Sequence, residues 1–268
     1  MLEHLTLLEN KTIYLLREAY SQLRENTALL WSIGKDSTTM LWIARKAFFG
    51  TIPFPVMHID TSYKFKEIYE FRQKYASLWN LNLIVTKNEA ALKEGMNFKK
   101  GRFECCDALK TQALKLALNH HHFKGVYLAI RRDEHGIRAK ERYFSPRNEQ
   151  FQWNYQNQPP ELWNLFKSTT AQDEHIRIHP MLDWTEIDIW RYIEREKIPV
   201  NSLYFSKNFK RFRSIGCETC CEPVDSKARN LKKIIHELET TTISERSGRA
   251  QDKENSYNMQ KLRSLGYM

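Results

Sequence analysis

The heptapeptide Ser32-Ile33-Gly34-Lys35-Asp36-Ser37-Thr38 stands between a short apolar run, TALLWS (27–32), and an apolar helical stretch, MLWIARKAFF (40–49). A polar, glycine-containing turn from a buried strand into a helix constrains the fold strongly. The first backbone N–H groups of the helix lack intrahelical acceptors and carry partial positive charge, so the turn is built to receive an anion. Gly34 permits close backbone approach, the Ser and Thr hydroxyls can donate to phosphate oxygens, and Lys35 adds charge. The G-x-x-x-x-G-K-[ST] spacing of the P-loop is absent, so this is a different phosphate loop. The plainer alternative is an ordinary strand–helix turn with a serine cap.

The pattern repeats along the chain. Residues 2–25 read as an amphipathic helix, 54–61 as a strand, 64–80 as a helix, 81–87 as a strand, 105–121 as a helix and 125–130 as a strand. After a polar, irregular segment (131–175) come a fifth strand (175–182) and a helix (185–197) capped by Asp183 or Thr185. Strands alternating with helices imply an α/β fold with a doubly wound, mainly parallel five-stranded sheet, whose ligands bind beyond the carboxyl ends of the strands. A hydrophobic fraction of 41% supports a sizeable core, while Gly 9 and Pro 8 exclude collagen-like or low-complexity architectures. No apolar run approaches the roughly 18 residues of a membrane span, and the N-terminus lacks a signal-peptide pattern, so a soluble, cytoplasmic protein is expected. The formal charge of +10 suits a polyanionic partner or a merely basic surface.

SIGKDST resembles the pyrophosphate loop of the adenine-nucleotide α-hydrolase-like ATP pyrophosphatases. The resemblance continues through TIPFPVMHIDTSYKFKEIYEFR (51–72), RRDEHGIRAKER (131–142), LDWTEIDIWRYIEREKIPVNSLYF (182–205) and TTISERSGRAQD (241–252). Together these segments are similar to sulfate adenylyltransferase subunit 2 (CysD) and the related PAPS reductases. The resemblance implies cleavage of ATP between its α and β phosphates, in a domain spanning 1–221 with a charged C-terminal extension, 222–268. It implies that Ser32, Gly34, Lys35, Asp36, Ser37 and Thr38 hold phosphates, that Asp36 helps with Mg2+, and that His58, Asp60 and Thr61 lie at the nucleoside. For Asp36 helix capping is the alternative, and for His58 a place in the core. Arg131, Arg132 and Asp133 complete the implied catalytic set with Lys35 and Asp36, since guanidinium groups suit the charge developing in phosphoryl transfer.

The cysteines fall into two groups, Cys105-Cys106 and Cys217, Cys220, Cys221. They resemble the ligands of iron–sulfur reductases, which implies a [4Fe–4S] cluster on Cys105, Cys106, Cys217 and Cys220. Zinc and free thiols are the alternatives. No cysteine follows Cys221, so the attacking thiol of a reductase is missing. The combination of sulfurylase-like motifs, cluster-like cysteines and basic charge resembles the ATP pyrophosphatases of DNA phosphorothioation, the SspD type more than the longer DndC type. That implies DNA, a cysteine desulfurase and other phosphorothioation proteins as partners, with homo-oligomerisation compatible. Aromatic residues in FQWNYQNQPPELWNLF (151–166) form a packed surface lobe or, on this reading, stack on exposed bases. The second expectation is sulfate activation with a GTPase partner, giving adenosine phosphosulfate. A nucleotide-gated DNA-binding scaffold and tRNA thiolation complete the set.

Overall fold

The computed structural model describes residues 2–167, 174–249, 261, 262 and 264–266. Helix α1 (Leu2–Leu23) leads into β1 (Thr27–Leu30), α2 (Lys35–Ala47), β2 (Val56–Ile59), α3 (Lys66–Leu78) and β3 (Leu83–Thr86). The short helices α4 (Glu89–Lys93) and α5 (Arg102–Cys106) follow. A π-helical stretch (Asp107–Gln112) then runs into α6 (Ala113–His120) and β4 (Gly125–Tyr127). Strands β5 (Phe144–Arg147) and β6 (His175–Ile178), helix α7 (Glu186–Glu196), the short pair β7 (Lys210–Arg211) and β8 (Val224–Asp225), and helix α8 (Leu231–Thr240) complete the chain.

The main sheet has six strands in the order β3-β2-β1-β4-β6-β5. Five are parallel, as expected. The sixth, β5, is antiparallel to β6 and comes from the segment read as irregular, because Pro146 and Arg147 disguise an edge strand. Side chains alternate across the sheet as strand geometry requires. Leu29, Val56, Tyr127, Ile176 and Ile178 face the large core under α1, α2, α3 and α7. Ala28, Leu30, Met57, Ile59, Val126 and Leu128 face a smaller core with Ala113, Leu114, Ala117 and Leu118 of α6. With both faces covered, the central strands bury every residue.

Helix α2 begins at Lys35, five residues earlier than the apolar pattern suggests. Its Ser/Thr-rich first turn is satisfied locally: Ser37 donates to the Gly34 carbonyl at 3.2 Å, and Thr38 Oγ1 accepts from Trp31 Nε1 at 3.0 Å. Helix α7 is started by Thr185, whose side chain and that of Asp188 form a reciprocal capping box. The order of strands reverses between β1 and β4, and the crevice beyond their carboxyl ends is where such sheets bind ligands.

Candidate active site

A cleft opens at this reversal. It is lined by Leu30 at the end of β1, Ser32 and Gly34 to Ser37 beyond it, Leu128 to Ile130 after β4, Tyr204, Ser214 to Gly216, and Arg246 and Arg249 from the C-terminal segment. Six of its lining residues are Lys or Arg (Lys35, Lys64, Lys110, Arg138, Arg246, Arg249) and two are acids, Asp36 and Glu134. That imbalance gives the cleft an excess of positive charge, chemically suited to an anion.

The loop 32–38 forms one wall. Ile33 holds a positive φ of 67°, a conformation a β-branched residue rarely adopts and one found where function requires it. The Lys35 N–H donates to the Tyr204 hydroxyl at 2.8 Å, and the Ser32 and Ser37 hydroxyls are 3.0 Å apart. Behind the loop lies a closed ring of charges. Lys35 Nζ contacts Asp36 Oδ2 at 3.2 Å and Glu245 Oε1, while Arg131 contacts Asp36 Oδ1 and Glu245 Oε2. Lys35 and Arg131 are 1% and 0% exposed, so this ring is desolvated. Burial alone would raise the Glu245 carboxyl, but Arg131 and Lys35 override it and hold Glu245 well below the usual carboxylate range. The same acids raise Lys35 against the effect of burial.

The structure separates the RRD triplet. Arg131 faces the ring. Arg132 turns away to Asp183 and lies over the Tyr143 ring, 5.1 Å from its centre, and does not line the cleft. This corrects its placement in the catalytic set, because adjacent residues after a strand point in opposite directions. Asp133 also stays out of the cleft: one oxygen takes Arg131 Nε at 2.9 Å and the other the Glu186 N–H of α7 at 2.8 Å. Arg138 and Arg246 share Glu134, Arg246 at 3.0 Å.

His58, Asp60 and Thr61 end β2 as expected but do not line the cleft. His58 Nδ1 donates to the Trp31 carbonyl at 2.8 Å, and burial pushes its pKa down to about 3. Asp60 accepts from Ser62 N–H at 2.8 Å and Tyr69 OH at 3.0 Å. Burial would raise its pKa, but these bonds and Lys87 bring it below the ordinary value. These residues fix the loop that carries Lys64 into the cleft.

All five cysteines are buried, free thiols. Four thiolates would suit an iron–sulfur cluster chemically. Among the described residues no three His, Cys, Asp or Glu have the geometry to hold a metal ion, although Cys106, Cys217 and Cys220 are all electrostatic neighbours of Cys105. Cys217 lies 3.1 Å from Thr61 Oγ1; burial opposes ionisation, but Lys110, Lys64 and the threonine bring its pKa down to about 7. Burial pushes Cys105 up to about 12. The aromatic segment is largely packed against the fold. Trp153 is buried, and Phe166 stacks on Phe144 with centres 4.8 Å apart, leaving Trp163 as the exposed aromatic of 151–166.

Lys64, Lys110, Tyr204, Glu245, Arg246 and Arg249 were not singled out from the sequence. Lys110 sits in the π-helical stretch, a distortion frequent at functional sites that has no sequence signature. Lys64 and Arg249 are distinctive in their partners. Burial lowers the Lys64 pKa, and its strongest electrostatic neighbours are the thiols of Cys217 and Cys221 and the cations Lys110 and Arg249. Arg249 donates to Ser214 Oγ at 3.0 Å, the Ile215 carbonyl at 2.6 Å and Cys221 Sγ at 3.0 Å. Gly216 lets it approach, since a Cβ there would stand 2.2 Å from Arg249 Nη1.

Residues 26–223 match the model of the phosphoadenosine phosphosulfate reductase domain. The chain is 41% identical to sulfate adenylyltransferase subunit 2 of Saccharophagus degradans, over 99% of this chain and 98% of that one. It is 39% identical to the protein of the same name in Allorhizobium ampelinum, over 98% and 93%. Among solved structures it resembles phosphoadenylyl-sulfate reductase of Candida auris (TM-score 0.56, 18% identity, 84% of this chain and 98% of that one). It also resembles FMN adenylyltransferase of Candida glabrata in complex with ATP (TM-score 0.57, 16% identity, 82% and 64%). The structural likenesses carry the fold. The full-length sequence likeness overturns the expectation of an ATP pyrophosphatase serving DNA phosphorothioation and favours sulfate activation. No described helix is long and apolar enough to cross a membrane.

Proposed function

The chain belongs to the phosphoadenosine phosphosulfate reductase domain family and, within it, with sulfate adenylyltransferase subunit 2, an ATP-using, adenylyl-transferring enzyme; from this premise we propose that it transfers the AMP moiety of ATP to sulfate, releasing pyrophosphate, as one subunit of a larger enzyme. The observation that carries the reading is the cleft itself, six cations against two acids beside an open helix N-terminus.

The departing diphosphate takes the first turn of α2, where the N–H groups and the Ser32 and Ser37 hydroxyls meet its oxygens. Lys35 neutralises it, and Arg131 sets Lys35 and Asp36 through the ring they share. The apolar lining of Leu30, Leu128 and Ile130 suits the adenine. Lys64, Lys110 and Arg249 receive sulfate beside the α-phosphate. Among the described residues the partners of Lys64 and Arg249 are thiols, a hydroxyl and a backbone carbonyl rather than carboxylates. A sulfate oxygen then bonds to the α-phosphorus as the bond to the bridging oxygen breaks, and the electron pair leaves with pyrophosphate. Bringing the sulfate dianion against the polyanionic triphosphate needs this concentration of fixed positive charge. Asp36, which lines the cleft, would hold Mg2+, an ion that takes one or two carboxylates and completes its shell with phosphate and water. When bound, the ion neutralises phosphate charge.

The test is pyrophosphate release by the purified chain with its companion subunit, ATP and Mg2+. Release should depend on sulfate and be indifferent to DNA. Release that ignores sulfate overturns the reading.

A further inference from the structure

The mechanism leaves the thiols unused, and no described metal grouping claims them. Cys217 and Cys220 bracket a single 3-10 turn in which the Cys220 N–H donates to the Cys217 carbonyl at 3.1 Å. A turn closed this way keeps its first and fourth Cα atoms within about 7 Å, and a disulfide spans about 4.4–6.8 Å between Cα atoms. This pair can therefore be joined with little backbone movement. The turn is also wired to the cleft. Cys217 is bridged to Lys64, and the Glu218 N–H donates to the Tyr63 carbonyl at 2.8 Å. On the other side Arg249 grips Ser214, Ile215 and Cys221. Lys64 and Arg249, two of the three cations assigned to sulfate, thus hang on the segment that carries the two thiols.

We propose that Cys217 and Cys220 form a reversible dithiol–disulfide site that weakens the sulfate end of the cleft when oxidised by a peroxide. One thiol sulfur attacks a peroxide oxygen; the O–O bond breaks, a sulfenic acid forms and water leaves. The second sulfur displaces the sulfenic hydroxyl, the S–S bond forms and a second water leaves. The thiol pair loses two electrons and the peroxide gains them. A small dithiol reverses the change. Drawing the Cys217 sulfur toward Cys220 takes it from Thr61 and shifts the strand bridge to Lys64. The effect on sulfate rests on the function proposed above, while formation of the disulfide does not.

The experiment treats the complete protein with hydrogen peroxide, then alkylates and measures peptide masses, iron content and the thermal shift produced by inorganic sulfate. A loss of two hydrogens confined to the 217–220 pair, retained in Cys221→Ser and abolished in Cys220→Ser, is expected, with the sulfate concentration for half-maximal shift rising about tenfold. Dithiothreitol should restore it, and Cys220→Ser should bind sulfate like the parent while ignoring peroxide. Stoichiometric iron with blocked thiols, a disulfide through Cys105, Cys106 or Cys221, or a 217–220 disulfide without change in sulfate binding overturns the proposal. If disulfide formation proceeds as expected while pyrophosphate release ignores sulfate, the fault lies with the proposed reaction instead.

Discussion

Glu245 is a carboxylate placed where the site otherwise gathers cations, and Glu245→Gln tests what it does there. One oxygen contacts Lys35 and the other Arg131, with the acid side chain only 6% exposed. Taking one partner from a buried, hydrogen-bonded charge network costs about 3–5 kcal/mol. Here Asp36 still serves both cations, Asp133 still takes Arg131 Nε, and the glutamine carbonyl still accepts one bond. The net loss should therefore be nearer about 2–3 kcal/mol. For a chain of this size that lowers Tm by roughly 4–10 °C. The assay is thermal unfolding of parent and variant at pH 7 and low salt, alone and with inorganic pyrophosphate. Pyrophosphate offers the freed cations a replacement anion, and a ligand at a hundred times its Kd returns about 2.7 kcal/mol. The variant should thus be stabilised more by pyrophosphate than the parent is. An unchanged Tm in the absence of ligand refutes the energetics. A lowered Tm that pyrophosphate fails to restore refutes the idea that the ring lies beside the diphosphate.

Lys64→Ala should raise the sulfate KM about tenfold with little change in that for ATP, the value of one charge-assisted hydrogen bond; initial-rate kinetics varying each substrate checks this. Arg132→Ala should leave kcat within about twofold and cost under about 1 kcal/mol of stability, because its ion pair with Asp183 is one-third exposed on each side. Unfolding and turnover measured on the same preparation would check both. His58 stays neutral in the fold to about pH 3 but takes a proton near 6.5 when unfolded. Its contribution is therefore whole above pH 6.5 and lost as pH falls toward 3, where the unfolded chain binds the extra proton. Replacing it with glutamine should flatten the stability–pH slope between about pH 4 and 6.5, read from denaturant midpoints.

The parallel sheet and the phosphate loop were legible because they are local. Apolar runs such as TALL and VMHI declare buried strands, and the loop lies within seven residues between one strand and one helix. The remainder of the cleft is not local. Lys64 arrives on the loop after β2, Lys110 on a π-helical stretch, Tyr204 from a turn after α7, and Glu245, Arg246 and Arg249 from a segment past α8. All but Lys110 lie in segments that carry the family resemblance, yet nothing local marks any of them as a site residue. Only the strand order, which sets the ends of β1 and β4 side by side, gives them a common destination.

Net charge misled for a related physical reason. A formal +10 counts every cation alike, wherever it sits. Among the described residues ten Lys and Arg are buried, including Arg147, Arg177 and Arg211, none of which lines this cleft, against six buried Asp and Glu. The interior therefore carries an excess of four positive charges that no duplex could touch. Arg147 sits on Glu141 at 2.9 Å and Arg211 on Glu237 at 2.6 Å, organising strand edges rather than a surface field. The rest of that excess converges on the cleft, where the field is confined by Leu30, Leu128 and Ile130 and by the backbone at the ends of β1 and β4. Positive charge enclosed in this way selects compact anions such as a diphosphate or sulfate. A polymer needs its counter-charges spread along an accessible groove, at the spacing of its phosphates. Basicity thus becomes informative only once burial says which charges a partner can reach.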